Sequence, residues 1–231
     1  MPNWTGELMA ESDNRDVAVR KLRKPKHVLE VNFTTWIAGK PICRIHSANF
    51  NALQFNPGKG NARFSPLSNG VSTLYGGENI GVAIMETLFH DLPPDSAGVP
   101  YDLAKLEGAV HSVIKPCTNL TLVDLNPKTL RRMGITRSEL LDSSADQYVF
   151  TREYSLAIYL NFSEVHGLQW SSKQHGSTAL MLFGDRVKPE DFSVLIESQP
   201  LLESAAVINA IEYEADQLGI VLIEPLGGYG P

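Results

Sequence analysis

Short β-favouring runs, each closed by Gly, Pro or Asn, recur along this chain, and helical patterns interrupt them at irregular intervals. The runs are 41–46, 71–75, 101–106, 109–114, 120–125, 168–171, 179–183, 192–196 and 220–223. Helical spacing marks 79–89, 147–160 and 205–218, with Asn79 as a plausible N-cap, and Thr136 with Glu139 forms a capping-box pattern for a shorter helix. A doubly wound parallel sheet needs strand and helix in regular alternation. Irregular alternation predicts an α+β fold instead, compact, with mixed or antiparallel sheets and flanking helices.

The organisation expected is an N-terminal arm at 1–27 and one domain at 28–231 that ends in a helix–strand extension. The first 25 or so residues are polar and carry no strong periodicity, while Gly and Pro are spread through the chain rather than gathered in one linker. With 231 residues and 43% hydrophobic composition, a full core can form without disulfides or structural metal. The start lacks the apolar run of a signal peptide, and no uncharged apolar stretch approaches the ~20 residues of a membrane span. A soluble cytoplasmic protein with no membrane contact is expected. Cys43 and Cys117 are the only cysteines and lack Cys-x-x-Cys spacing, which favours two reduced thiols.

Net charge is −6, which argues against direct nucleic-acid binding because phosphate backbones need a positive surface. Charge is uneven, with Arg15, Arg20, Lys21, Arg23, Lys24 and Lys26 at the head and no Lys or Arg after Lys188. The acidic residues of that tail, among them Glu197 and Glu214, are read with the basic head as two solvated faces.

Glu86 is the most informative single residue, because it places a carboxylate in an apolar helix between Met85 and Leu88. Arg44 lies on the 41–46 strand and Arg63 beyond a loop rich in Asn, Pro and Gly, and two guanidinium forks there suit a pyrophosphate ligand. Tyr75 precedes Gly76 and Gly77 at a strand end, where an aromatic face can line a pocket. Taken singly, each has a plainer reading: a surface glutamate, edge arginines or partners of acids, a core tyrosine. No helical pairing of a histidine with an acid is expected, and the six histidines have no cysteine partners at zinc spacing, so no metal site is predicted. Ser171 and Ser172 lack a Gly-x-Ser-x-Gly context, which disfavours a serine-hydrolase elbow.

The succession Arg44-Ile45-His46, Asn61-Ala62-Arg63-Phe64-Ser65, Thr73-Leu74-Tyr75-Gly76-Gly77 and Ala83 to Glu86 resembles the N-terminal half of a RES domain. His166-Gly167-Leu168-Gln169-Trp170-Ser171-Ser172-Lys173 and the apolar strand 179–183 resemble a later part of that domain. The likeness spans about residues 42–190 and keeps the eleven-residue interval from Tyr75 to Glu86. It implies an ADP-ribosyltransferase-like fold and the activity of a bacterial toxin that degrades NAD, by phosphorolysis or hydrolysis, or that transfers ADP-ribose to a protein. A nucleotide-binding module without turnover is the non-enzymatic alternative.

By the same resemblance Arg44 and Arg63 grip phosphate or ribose with His46 beside them, Tyr75 packs the nicotinamide end, and Glu86 is catalytic. Ser172 supplies a pocket hydroxyl, or Ser171 does, which stands where many members carry arginine. The resemblance implies no prosthetic group, NAD as substrate with inorganic phosphate as a co-substrate of phosphorolysis, and a cognate antitoxin as partner. A homodimer is an open arrangement.

Overall fold

The computed structural model describes residues 23–90, 92 and 98–224. Its main sheet is built from strands that bury both faces. In β8 (Thr178–Phe183), Ala179, Met181 and Phe183 join one core while Leu180 and Leu182 join another, the alternation that a period of two imposes. Seven further strands complete the sheet: β1 (Asn32–Trp36), β2 (Ile42–Ser47), β3 (Thr73–Gly77), β5 (Ala109–Pro116), β6 (Leu120–Asp124), β7 (Gly167–Ser171) and β9 (Phe192–Pro200). Their order is β1-β6-β7-β8-β3-β2-β5-β9, antiparallel throughout except for the parallel pair β6–β7. β4 (Pro100–Asp102) pairs in parallel with β10 (Val221–Ile223) in a separate small sheet.

Helices cover one face of the large sheet in two groups. Leu130 and Met133 of α2 (Pro127–Met133), Leu140 of α3 (Arg137–Leu140) and Tyr154 and Ile158 of α4 (Tyr148–Asn161) pack on Leu168, Trp170 and Met181. Ala83, Ile84 and Met85 of α1 (Ile80–Thr87) pack with Val207, Ile211 and Ala215 of α5 (Ala205–Gln217) on Cys43, Ile45 and Val113. The opposite face buries Ile42, Leu74, Ile114 and Leu182 beneath Ala52, Phe55 and Val187 from loops. The expected α+β class is the one observed.

Several boundaries depart from the sequence reading for local reasons. The run at 101–106 is a strand only as far as Asp102, whose carboxylate accepts the Ala104 N–H at 2.8 Å and starts a 3-10 turn at Leu103–Leu106. β1 and α2 were not anticipated, although α2 carries three strong signals: Asn126 caps it, Pro127 occupies its first turn and Gly134 closes it in the left-handed region at φ 77°. The capping box at Thr136 and Glu139 is present and starts a helix of four residues.

Half of the basic head, Arg15, Arg20 and Lys21, lies in residues 1–22, outside the described residues. The part that follows rests on the helices: Tyr154 donates its hydroxyl hydrogen to the Arg23 carbonyl at 2.9 Å, and Lys26 Nζ donates to the Arg132 carbonyl at 3.1 Å. The reading of the acidic tail as a solvated face fails at Glu214, which is 7% exposed because α5 turns it inward against α1. Cys43 is buried, Cys117 is exposed, and both are free. No helix among the described residues is long and apolar enough to cross a membrane.

Candidate active site

β2 and β3 are neighbours in the sheet yet share a single pair of facing residues, Cys43 and Gly77. Beyond that pair the strands part, and the Arg44 side chain fills the gap. Its Nε donates to the Tyr75 carbonyl at 3.1 Å, one Nη to the Ala52 carbonyl and the other to the Gln54 carbonyl at 3.5 Å. Arg44 is 6% exposed, and burial brings its pKa down to about 10, so it remains a cation at neutral pH. The phosphate-gripping fork expected of this residue is therefore largely engaged with backbone.

Tyr75, from the same gap, stacks edge-on against Trp170, with ring centroids 6.2 Å apart. Its hydroxyl accepts the Phe64 N–H, and burial pushes its pKa up to about 12. The loop leading to Phe64 begins at Asn56, whose side chain accepts the N–H groups of Gly58 at 3.0 Å and Lys59 at 2.7 Å. It ends on α4. There Thr151 donates its hydroxyl hydrogen to the Arg63 carbonyl, Arg152 Nε donates to the Ala62 carbonyl at 3.1 Å, and an Arg152 Nη donates to the Asn61 side chain. The Arg63 guanidinium lies 5.6 Å from the centre of the Tyr148 ring, a cation–π distance.

α1 forms the third wall. Asn79 caps it by accepting the Val82 N–H at 2.9 Å. Gly77 lets the helix start against the strand, since a Cβ there would stand 2.4 Å from a Val82 methyl. Glu86 sits half-buried in the last turn, and among the described residues it makes no hydrogen bond or ion pair.

These walls enclose a cleft of about 330 Å³, lined by Arg44, Arg63, Tyr75, Glu86, His90, Tyr148 and Trp170, together with Gly60, Asn61 and Ala62. That volume is within the range of small-molecule sites. A narrower recess of about 10 Å³ shares Arg63, Glu86 and His90 and is closed by Ser172, Lys173 and Gln174. Four polar atoms around the two spaces are buried without a hydrogen-bond partner among the described residues: Arg63 Nε, Trp170 Nε1, Ser172 Oγ and Gln174 Oε1. Unsatisfied groups of this kind are uncommon in a native fold, and together beside one cleft they point to a polar ligand that completes them.

Of the residues singled out in the sequence, Arg44, Arg63, Tyr75 and Glu86 meet in the cleft and Ser172 in its recess. Ser171 lies outside both and donates its hydroxyl hydrogen to the Gly176 carbonyl at 2.7 Å. His46 is also absent from the lining. Its Nδ1–H faces the Ser47 carbonyl at 3.0 Å and its Nε2 the Ser112 hydroxyl at 2.9 Å, and burial, then the charge of Arg44, lowers its pKa. His90, Tyr148, Trp170 and Arg152 were missed. For His90 a signal was available, since it follows Glu86 by four residues in the sequence, although α1 ends at Thr87 and His90 lies beyond its last turn.

Comparison with known proteins bears on both sequence and fold. A family model described as RES domain matches residues 41–201. No curated protein matches the chain. Among solved structures, a chain of the crystal structure of the M. tuberculosis MbcT–MbcA toxin–antitoxin complex is similar with a TM-score of 0.56 and 14% identity, covering 76% of this chain and 91% of that one.

Proposed function

The chain belongs to the RES domain family, and on that premise we propose that it is a toxin that degrades NAD by breaking the bond between nicotinamide and ribose. The observation that carries the reading is Glu86: a half-buried carboxylate, uncommitted among the described residues, in a cleft whose other walls are cationic and aromatic. Departure of nicotinamide leaves positive charge on the ribose, as in glycoside cleavage. A carboxylate fixed beside that charge stabilises it more in the transition state than in the bound substrate. Nicotinamide leaves neutral, so no acid has to protonate it.

In this reading Arg63, whose Nε has no partner among the described residues, takes a phosphate or ribose oxygen. Tyr75, Trp170 and Tyr148 offer flat apolar surface for the ring, and Ser172 a hydroxyl that lacks a partner. The attacking group is water, giving ADP-ribose and a proton, or inorganic phosphate, giving ADP-ribose 1″-phosphate. The toxin–antitoxin neighbour supports a protein partner that keeps the cleft from NAD in the producing cell.

The test is product analysis of the purified protein with NAD, with and without phosphate. Release of nicotinamide with free ADP-ribose identifies hydrolysis, and a phosphorylated ribose that appears only with phosphate identifies phosphorolysis. Labelled ADP-ribose retained on protein would replace the reading with a transferase. NAD binding without nicotinamide release would reduce the protein to a nucleotide-binding module.

A further inference from the structure

Ser172 stands at the start of the turn between β7 and β8, six residues that also hold Lys173, Gln174 and His175. Backbone bonds close the turn on itself: Ser172 N–H donates to the Ser177 carbonyl at 2.8 Å and Gly176 N–H to the Ser172 carbonyl at 3.0 Å. Those bonds fix its shape but not where it stands relative to α1, which carries Glu86. A second contact does that. His175 Nε2 lies 3.5 Å from Glu214 Oε1, and the two side chains are only 20% and 10% exposed.

The pair closes over Gly81 in the first turn of α1. A Cβ on Gly81 would fall 2.2 Å from Glu214 Oε1 and 2.6 Å from His175 Nε2, so this glycine is what lets the turn and α5 meet on the helix. One junction therefore ties three elements: the turn with Ser172 and Gln174, the helix with Glu86, and α5. Gln174 Oε1 is itself buried without a partner among the described residues at the edge of the recess, so Ser172 and Gln174 bring two unsatisfied polar atoms to the space they share with Glu86.

We propose that His175 and Glu214 are positioning residues, whose contact over Gly81 holds the β7–β8 turn so that Ser172 and Gln174 face Glu86 across the recess. Neither residue lines the cleft. Their effect runs through Ser172 and Gln174, which extends the NAD-cleaving reading and rests on it. The acidic tail thus contributes one of its carboxylates to the geometry of the site, although it lies far from Glu86 in sequence.

The test uses Glu214→Gln and Gly81→Ala in the full chain. The first keeps the volume of the side chain, and the second pushes the pair apart without altering either member. Amide hydrogen exchange at residues 172–177 is measured first, because it does not depend on any substrate. Faster exchange there in both variants, with the core strands still protected, is the expected result; unchanged exchange overturns the proposal. Nicotinamide release is measured next. Each variant should lose about tenfold to a hundredfold in kcat, the scale of a misplaced catalytic geometry.

The double variant Ser172→Ala/Glu214→Gln should be no slower than Ser172→Ala alone, because the pair acts through that turn. Additive losses would assign Glu214 a general structural role and overturn the proposal. A wild-type protein inert towards NAD would remove the function proposed above, while the exchange measurement would still decide whether the junction holds the turn.

Discussion

The hydroxyl of Tyr75 accepts the backbone N–H of Phe64 at 3.1 Å, so the ring that walls the cleft also fixes the loop that carries Arg63. Tyr75→Phe keeps the wall and removes the anchor. A buried N–H left without a partner costs about 1–3 kcal/mol, so the variant should melt several degrees lower and bind NAD more weakly. Calorimetry of melting and of NAD binding reads both effects. A variant with wild-type melting and affinity would show that the loop holds itself.

Glu86 is expected to separate chemistry from stability. Removing its charge as Glu86→Gln should lower nicotinamide release by about 10²–10³ in kcat. Because the carboxylate has no partner among the described residues, the free energy of unfolding should stay within the change typical of a surface substitution, about 0.5 kcal/mol. Equal activity in variant and wild type would exclude Glu86 as the charge-stabilising group.

Arg152 should act on binding. Its Nε and Nη donors hold Ala62 and Asn61, the segment that lines the cleft beside Arg63. Arg152→Lys keeps the charge and loses the fork, so it should behave like Arg152→Ala. In both, KM for NAD should rise by about tenfold, the scale of one lost charge-assisted bond. Recovery of KM in the lysine variant alone would mean that the charge matters and the fork does not.

Acid should destabilise the fold through histidine. His111 is buried with both ring nitrogens unpartnered among the described residues, and burial holds its pKa below the ordinary 6.5; His46, half-buried beside Arg44, is lowered as well. The unfolded chain therefore takes up protons more readily than the folded one. Stability from these residues is complete above 6.5 and is lost as pH falls through the lower, folded values. Melting temperatures should be level near neutrality and fall as pH drops below 6.5, with a shallower fall in His111→Leu. The same slope in the variant would assign the loss to carboxylates instead.

Strand and helix identity was largely legible because it depends on local alternation. The 41–46 run, the helix carrying Glu86 and the Thr136 capping box all lie within a few residues of where the pattern places them. The error at 101–106 came from Asp102, whose side chain competes for a backbone N–H in a way that a count of β-favouring residues does not register. The site divided along another line. Residues on one element were readable from type and spacing, as with Tyr75 and Glu86. The commitment of Arg44 to the Tyr75 carbonyl, the support of Arg63 by α4 and the burial of Glu214 depend on contacts distant in the chain. Ser171 and Ser172 show the limit most plainly, since one residue of strand register sends the first hydroxyl to Gly176 and the second to the recess.

The single Cys43–Gly77 pairing divides the large sheet into two plates, one of five strands ending at β3 and one of three beginning at β2. Every other neighbouring pair of strands in this sheet is joined by three or more facing residues, so this seam is its thinnest backbone join. The cleft lies along it. Arg44 crosses it to the Tyr75 carbonyl, so one buried cation both lines the cleft and rivets the two plates together, and the part of the sheet with the least backbone pairing is the part that the ligand site is built on.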